Sequence, residues 1–182
     1  MRKILKLKIV IILLALLLLL IVSLLWWAFS PLLFDVEVQD ELSPTLKAKL
    51  EANKNVNESS LPGEPVNVNE ENTVNDTGVI SRGPFPIIST PGHPATGNVE
   101  IIKSPEETVV QYVNYEGTNG PDLYIYLAKD LEATDYVELG RQRGNKGNII
   151  YQVPDSIDIS EYKYILTWCK AFGVLFDYIE IK

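Results

Sequence analysis

Two side chains capable of chemistry occur once each in this sequence, Cys169 and His93. A cysteine with no second cysteine to pair with can serve as a free redox thiol, as a thiolate ligand to iron or a soft metal, or as half of an intermolecular disulfide. It can equally be a small buried apolar side chain. His93 stands in Pro91-Gly92-His93-Pro94. Its imidazole is either a loop side chain pinned by its prolines or a second ligand or proton partner for the thiol. The two residues are 76 positions apart, so only the fold could unite them. A third group is the Gly140–Asn148 stretch, where Arg141, Arg143 and Lys146 alternate with Gly140, Gly144 and Gly147. Glycines that tolerate positive φ beside cationic side chains suit an anion-binding nest, and equally a tight hairpin turn with solvated charges.

Other chemistries are excluded. One cysteine rules out an internal disulfide framework, multi-cysteine zinc sites and iron–sulfur clusters, and one histidine rules out sites built from several imidazoles. No metal site is expected. The basic loop lacks the GxxxxGK[ST] spacing of a nucleotide-hydrolysing P-loop. With 16 Lys+Arg against 24 Asp+Glu, a formal net charge of −8, the chain is not expected to bind nucleic acid. No credible pair of catalytic carboxylates and no nucleophile–base–acid triad is present, so a turnover enzyme is not expected. Tyr112, Tyr115, Tyr124 and Tyr126 offer rings that either stack a ligand or fill a core.

These residues must be positioned by three unlike segments. Ile9–Phe29 is an uncharged apolar run of 21 residues, preceded by Arg2, Lys3, Lys6 and Lys8. As a helix it would be ~31 Å long, about one hydrocarbon core. A cleaved signal peptide is the alternative, but its apolar region is usually only about 7–15 residues. The nearest cleavage candidate, Ala28-Phe29-Ser30, is followed by Pro31. Acids and no bases follow the run in Pro31–Glu41, and Trp26 and Trp27 stand at that end. The charge asymmetry predicts an uncleaved single-pass anchor in the cell membrane, with a cytoplasmic tail (residues 1–8) and everything after Phe29 outside.

Residues 30–78 read as an acidic, Asn-rich tether. From Asp35 to Gly78 there are ten acids and three bases, and Asn53–Gly78 has no aromatic residue. Such a composition does not bury enough apolar surface to offset ordering entropy. Ser43-Pro44 predicts a short capped helix with Leu42, Leu46 and Leu50 on one side, fading by Asn53. Asn57-Glu58-Ser59 and Asn75-Asp76-Thr77 fit the glycosylation triplet, making Asn57 and Asn75 weak acceptor candidates.

Residues 79–182 are a different material, with all nine tyrosines and short β-branched runs broken by Gly, Pro and Asn. Strands are expected at 97–103, 108–115, 122–128, 136–139, 148–153, 164–170 and 172–181, hence an all-β antiparallel sandwich or barrel of seven or eight strands. Alternation along the sixth of these groups Cys169 with Ile165 and Thr167 on one face, and Trp168 with Leu166 and Tyr164 on the other. Lys170 then points away from the thiol and is poorly placed to lower its pKa.

Four strings stand in order in this module: Pro91-Gly92-His93-Pro94-Ala95-Thr96-Gly97, NGPDLYIYL from Asn119, LGRQRGNKGNIIYQVP from Leu139 and TWCKAFGVLFDYIEI from Thr167. Together they resemble the electron-transfer DM-thirteen domain, an extracytoplasmic module also found in the insect Skeletor protein, over residues 84–182. The resemblance implies an all-β fold and a redox centre at the cysteine of Trp168-Cys169-Lys170-Ala171-Phe172, as a free thiol or as ligand to a prosthetic group such as haem. It also implies a redox partner such as a cytochrome-like domain. Gln142 departs from the pattern, which usually carries an apolar residue before the basic-glycine pair. Two functions therefore stand: an electron-transfer accessory centred on Cys169, and a redox-inert binding or adhesion module in which Cys169 only packs.

Overall fold

The computed structural model describes residues 2–30, 34–58 and 78–182. Helix α1 (Arg2–Phe29) contains a 24-residue stretch, Lys6–Phe29, whose most apolar window has a mean hydropathy of 3.4 and no buried residue. It is long and apolar enough to cross a membrane, as an anchor or a signal sequence would be.

Ten strands follow. They are β1 (Glu37–Gln39), β2 (Ile80–Pro86), β3 (Ile88–Ser89), β4 (Ala95–Lys103), β5 (Thr108–Gly117), β6 (Leu123–Ala128), β7 (Tyr136–Arg141), β8 (Lys146–Val153), β9 (Tyr164–Cys169) and β10 (Val174–Glu180). A second helix, α2 (Pro44–Glu58), lies between β1 and β2. The strands form two five-stranded sheets, ordered β1-β8-β5-β4-β2 and β3-β10-β9-β6-β7. All pairings are antiparallel except β1 with β8. The expected seven strands appear as β4 to β10, and the count rises to ten through β1, β2 and β3.

The two sheets face each other across an apolar core. Val99, Ile101, Val110 and Tyr112 from one meet Ile125, Leu127, Ile165 and Ile179 from the other, all buried. Each such side chain stabilises the fold by about 1.5–3 kcal/mol relative to exposure.

The segment expected as a free tether from residue 30 instead packs on the sandwich over its first part. Strand β1 adds to the edge of the first sheet, with Val38 opposite Gly147. Ser43 caps α2 by accepting from the Leu46 amide at 3.2 Å, and Leu42, Leu46 and Leu50 cover Val79, Ile102, Val109 and Ile150 on the sheet's outer face. Helix α2 runs to Glu58, five residues past the expected fade at Asn53. Asn57 falls in its last turn, and Asn75 lies outside the described residues.

Candidate redox site at one pole of the sandwich

One pole of the sandwich gathers the ends of β3, β5, β7 and β9 and the starts of β1, β4, β6, β8 and β10. Cys169, His93 and the basic loop all lie here, so the fold brings three distant stretches of sequence to one end.

Cys169 is the last residue of β9. It is fully buried, on the inner face with Ile165 and Thr167, as alternation predicts. Its cluster contains Leu123, its cross-strand partner on β6, and Phe176. Phe176 is the extra residue of a β-bulge in β10: Leu175 pairs with Trp168 and Asp177 with Thr167, leaving Phe176 unpaired. A bulge breaks strict alternation, so Phe176 and Asp177 are both buried. Lys170 reaches the outer face instead, bonding Glu138 at 3.0 Å above the ring of Tyr124.

His93 does not bond the thiol. Its ring stacks on Phe176 with centroids 3.9 Å apart, and its Nδ1 lies 3.2 Å from the Thr90 hydroxyl. That hydroxyl donates its one proton to the carbonyls of Phe176 (2.6 Å) and Leu175 (3.0 Å). With that proton engaged, Nδ1 is the atom left to donate to Thr90. Phe176 thus stands between the imidazole and the thiol's cluster.

Next to Cys169 on the same face is a polar network that sequence reasoning missed. Asp177, buried, accepts from Thr167 Oγ1 at 2.7 Å and from Tyr115 Oη at 2.9 Å. Gln142 Nε2 donates to Tyr115 Oη at 3.2 Å, while Gln142 Oε1 and the Tyr112 hydroxyl are buried with no hydrogen-bond partner among the described residues. Gln142, the departure from the family pattern, thus adds to this network. Burial pushes the Asp177 carboxyl up to about 6, although the hydrogen bonds from Thr167 and Tyr115 pull the other way. Burial also raises Tyr115 and Tyr112 well above the usual phenol range, with the Asp177 charge adding to it. The available signal was an acid inside the apolar string LFDYIEI.

The basic loop grips this chain's own acidic segment. Arg143 pairs with Asp40, Lys146 with Asp35 at 2.8 Å and Glu116 at 3.1 Å, and Arg141 donates to the Pro121 carbonyl at 2.9 Å. The hydrogen bond from Lys146 is the main reason that Asp35 is held below its usual range. The glycines make room for β1: a Cβ on Gly144 would stand 2.6 Å from the Val36 carbonyl oxygen, and one on Gly147 (φ +104°) would collide with that of Val38.

A haem ligated by Cys169 does not fit this packing. The thiol is enclosed by side chains, and the cavity beside Leu123, lined by Gly120, Arg141 and Gln142 among others, is about 50 Å³. Pockets for organic ligands start at roughly 300 Å³. Among the described residues no three His, Cys, Asp or Glu side chains are grouped to hold a metal ion.

Fold and site together define a two-sheet β-sandwich with a lone buried thiol at one pole. A model of the family described as "Electron transfer DM13" matches residues 87–181, over half of the chain, and the chain belongs to that family. No curated protein and no solved structure matches it.

Proposed function

We propose that this chain is a membrane-anchored, extracytoplasmic electron-transfer accessory, not a turnover enzyme, with Cys169 as its redox group. In this reading residues 9–29 span the bilayer, residues 1–8 are cytoplasmic, and residues 79–182, with the docked residues 34–52, stand outside. Arg2, Lys3, Lys6 and Lys8 before the apolar helix, against no base in residues 30–41, support the orientation.

The observation that carries the reading is the position of the family's cysteine. Cys169 ends β9 at the pole, in a cluster whose Phe176 ring is covered by the half-buried His93. An electron crosses so thin a cover, whereas a bulky thiol or peroxide does not reach the sulfur. One-electron oxidation of the thiol by a partner, such as an oxidised cytochrome-like domain, releases one proton as well. Asp177, ionised above about pH 6, is the buried base on the same face.

A second reading, a redox-inert binding or adhesion module, is favoured by the complete burial of Cys169 among apolar side chains. Voltammetry of the full chain in nanodiscs separates the two. The first requires a redox wave that disappears in a folded Cys169→Ala variant, and the second requires no wave in either protein.

A further inference from the structure

Outside α1, the described residues expose five large apolar side chains: Phe34, Val36, Tyr136, Phe172 and Val174. Four of them stand at the pole described above. Phe34 and Val36 precede β1, and their carbonyls accept from Asn119 Nδ2 at 3.0 Å and from the Asn145 amide at 2.9 Å. Phe172 occupies the turn between β9 and β10 with 61% of its surface exposed, and Val174 opens β10. Tyr136 begins β7 at the opposite end. Phenylalanines left in water at a loop tip are costly unless something covers them.

The chain length says what that is. Ser30 ends the helical segment and Phe34 is already fixed to the sandwich through Asn119. Four residue steps reach at most ~14 Å, even fully extended. The headgroup layer on each side of a bilayer is itself about 5–8 Å deep. If α1 spans the membrane, Phe34 lies at most about 6–9 Å beyond the headgroup layer, so this pole stands close to it.

We infer that this pole rests on the lipid surface, with Phe34 and Phe172 inserted at the headgroup–acyl boundary. The inference depends on the reading of α1 as an uncleaved bilayer span. The contact is led by apolar side chains: the cations at its rim, Arg141 and Lys170, already face Asp122 and Glu138. It therefore does not need anionic lipid. The face that carries Cys169 and His93 is turned to the bilayer, so a redox partner that reaches it must itself lie at the membrane surface.

The test uses the full chain in phosphatidylcholine nanodiscs, with a photoreactive p-benzoyl-phenylalanine in place of Phe172, of Phe34 or, as the control, of Tyr136. Flotation with liposomes after a carbonate wash first establishes whether α1 holds the chain in a bilayer. The expected result is a floating protein that yields lipid adducts from positions 172 and 34 on illumination, and loses them when the probe is at 136. A floating protein with no adducts at 172 and 34, or with equal adducts at all three positions, overturns the inference and leaves the anchor standing. A protein that does not float overturns the anchor and the inference with it.

Discussion

The Tyr115 hydroxyl donates to Asp177 Oδ2 at 2.9 Å across the gap between the two sheets. Each residue arrives there through a slip in strand parity. In β5, Tyr112 pairs with Ile149 and Tyr115 with Gly147, three steps against two, with Asn114 at φ 50° absorbing the extra residue. In β10 the bulge at Phe176 turns Asp177 inward opposite Thr167. A buried carboxylate is stabilised by such donors, and losing one leaves it underpaid at the full desolvation cost.

This network gives the first prediction. The Asp177 carboxyl titrates at about 6 when folded, against 3.8 for the free side chain. Between these values the folded state holds a proton that the unfolded state has lost, so stability falls as pH rises. The contribution is full below about pH 4 and lost above about pH 6, and amounts to about 3 kcal/mol. Asp177→Asn should remove that slope in urea unfolding measured from pH 4 to 7.5. A variant with the wild-type slope would show that another group titrates.

Removing the donor tests the same bond from the other side. Tyr115→Phe should cost about 1.5–3 kcal/mol at pH 7.5, where it leaves an ionised carboxylate with one donor fewer. At pH 4.5, where Asp177 is protonated, the loss should shrink to about 1 kcal/mol. Equal losses at the two pH values would mean that Tyr115 contributes by packing alone.

Cys169 offers a paired comparison. Cys169→Ala should cost on the order of 1 kcal/mol, because it removes one buried sulfur. Cys169→Ser keeps the shape but buries a hydroxyl among Leu123 and Phe176, at about 1–3 kcal/mol. Native protein should react with iodoacetamide only through opening, so its labelling rate should rise with urea. Fast labelling without denaturant would contradict the burial.

The loop glycines predict how residues 34–40 are held on the sandwich. Gly147→Ala puts a methyl group where the Val38 carbonyl lies and strains a φ of +104°. Hydrogen exchange should then speed up in residues 34–40, while β9 and β10 stay protected. Arg143→Ala should loosen the same residues less, by about 1 kcal/mol or under, since its ion pair with Asp40 is partly exposed.

A protease site inserted between residues 66 and 67 makes the docking visible. Cleaved membranes should retain the module, because residues 34–52 still pair with β8 and cover Val79, Ile102 and Val109. Urea, or Gly147→Ala, should release it into the supernatant. Immediate release from the wild-type chain would show that the docking is too weak to matter.

What was legible in the sequence was what repeats locally. Seven strands declared themselves by alternation, and Ser43-Pro44 with three leucines four apart marked a capped helix. Cys169 could be grouped with Ile165 and Thr167 because β9 runs without a bulge. The inward turn of Phe176 and Asp177 was not legible, because strict alternation in LFDYIEI puts those two on opposite faces. Strand β1 was hidden for another reason. Three residues carry no period, and its partners lie 109 positions later, so the Gly140–Asn148 loop read as a hairpin turn or an anion nest when its glycines admit this chain's own backbone.

The parallel pairing of β1 with β8 has a mechanical consequence. If α1 is held in a bilayer, force from it enters the module at Phe34 and runs along β1, across its hydrogen bonds with β8, which include Lys146 to Val36 and Asp40 to Asn148. A tug away from the pole shears these bonds together and does not unzip them one at a time. Beyond β1, the chain turns into α2, whose buried Leu46 must leave its place before the strand can slide. The module thus bears load best along β1, and its weak direction is sideways, where β1 can be peeled from the edge of the sheet.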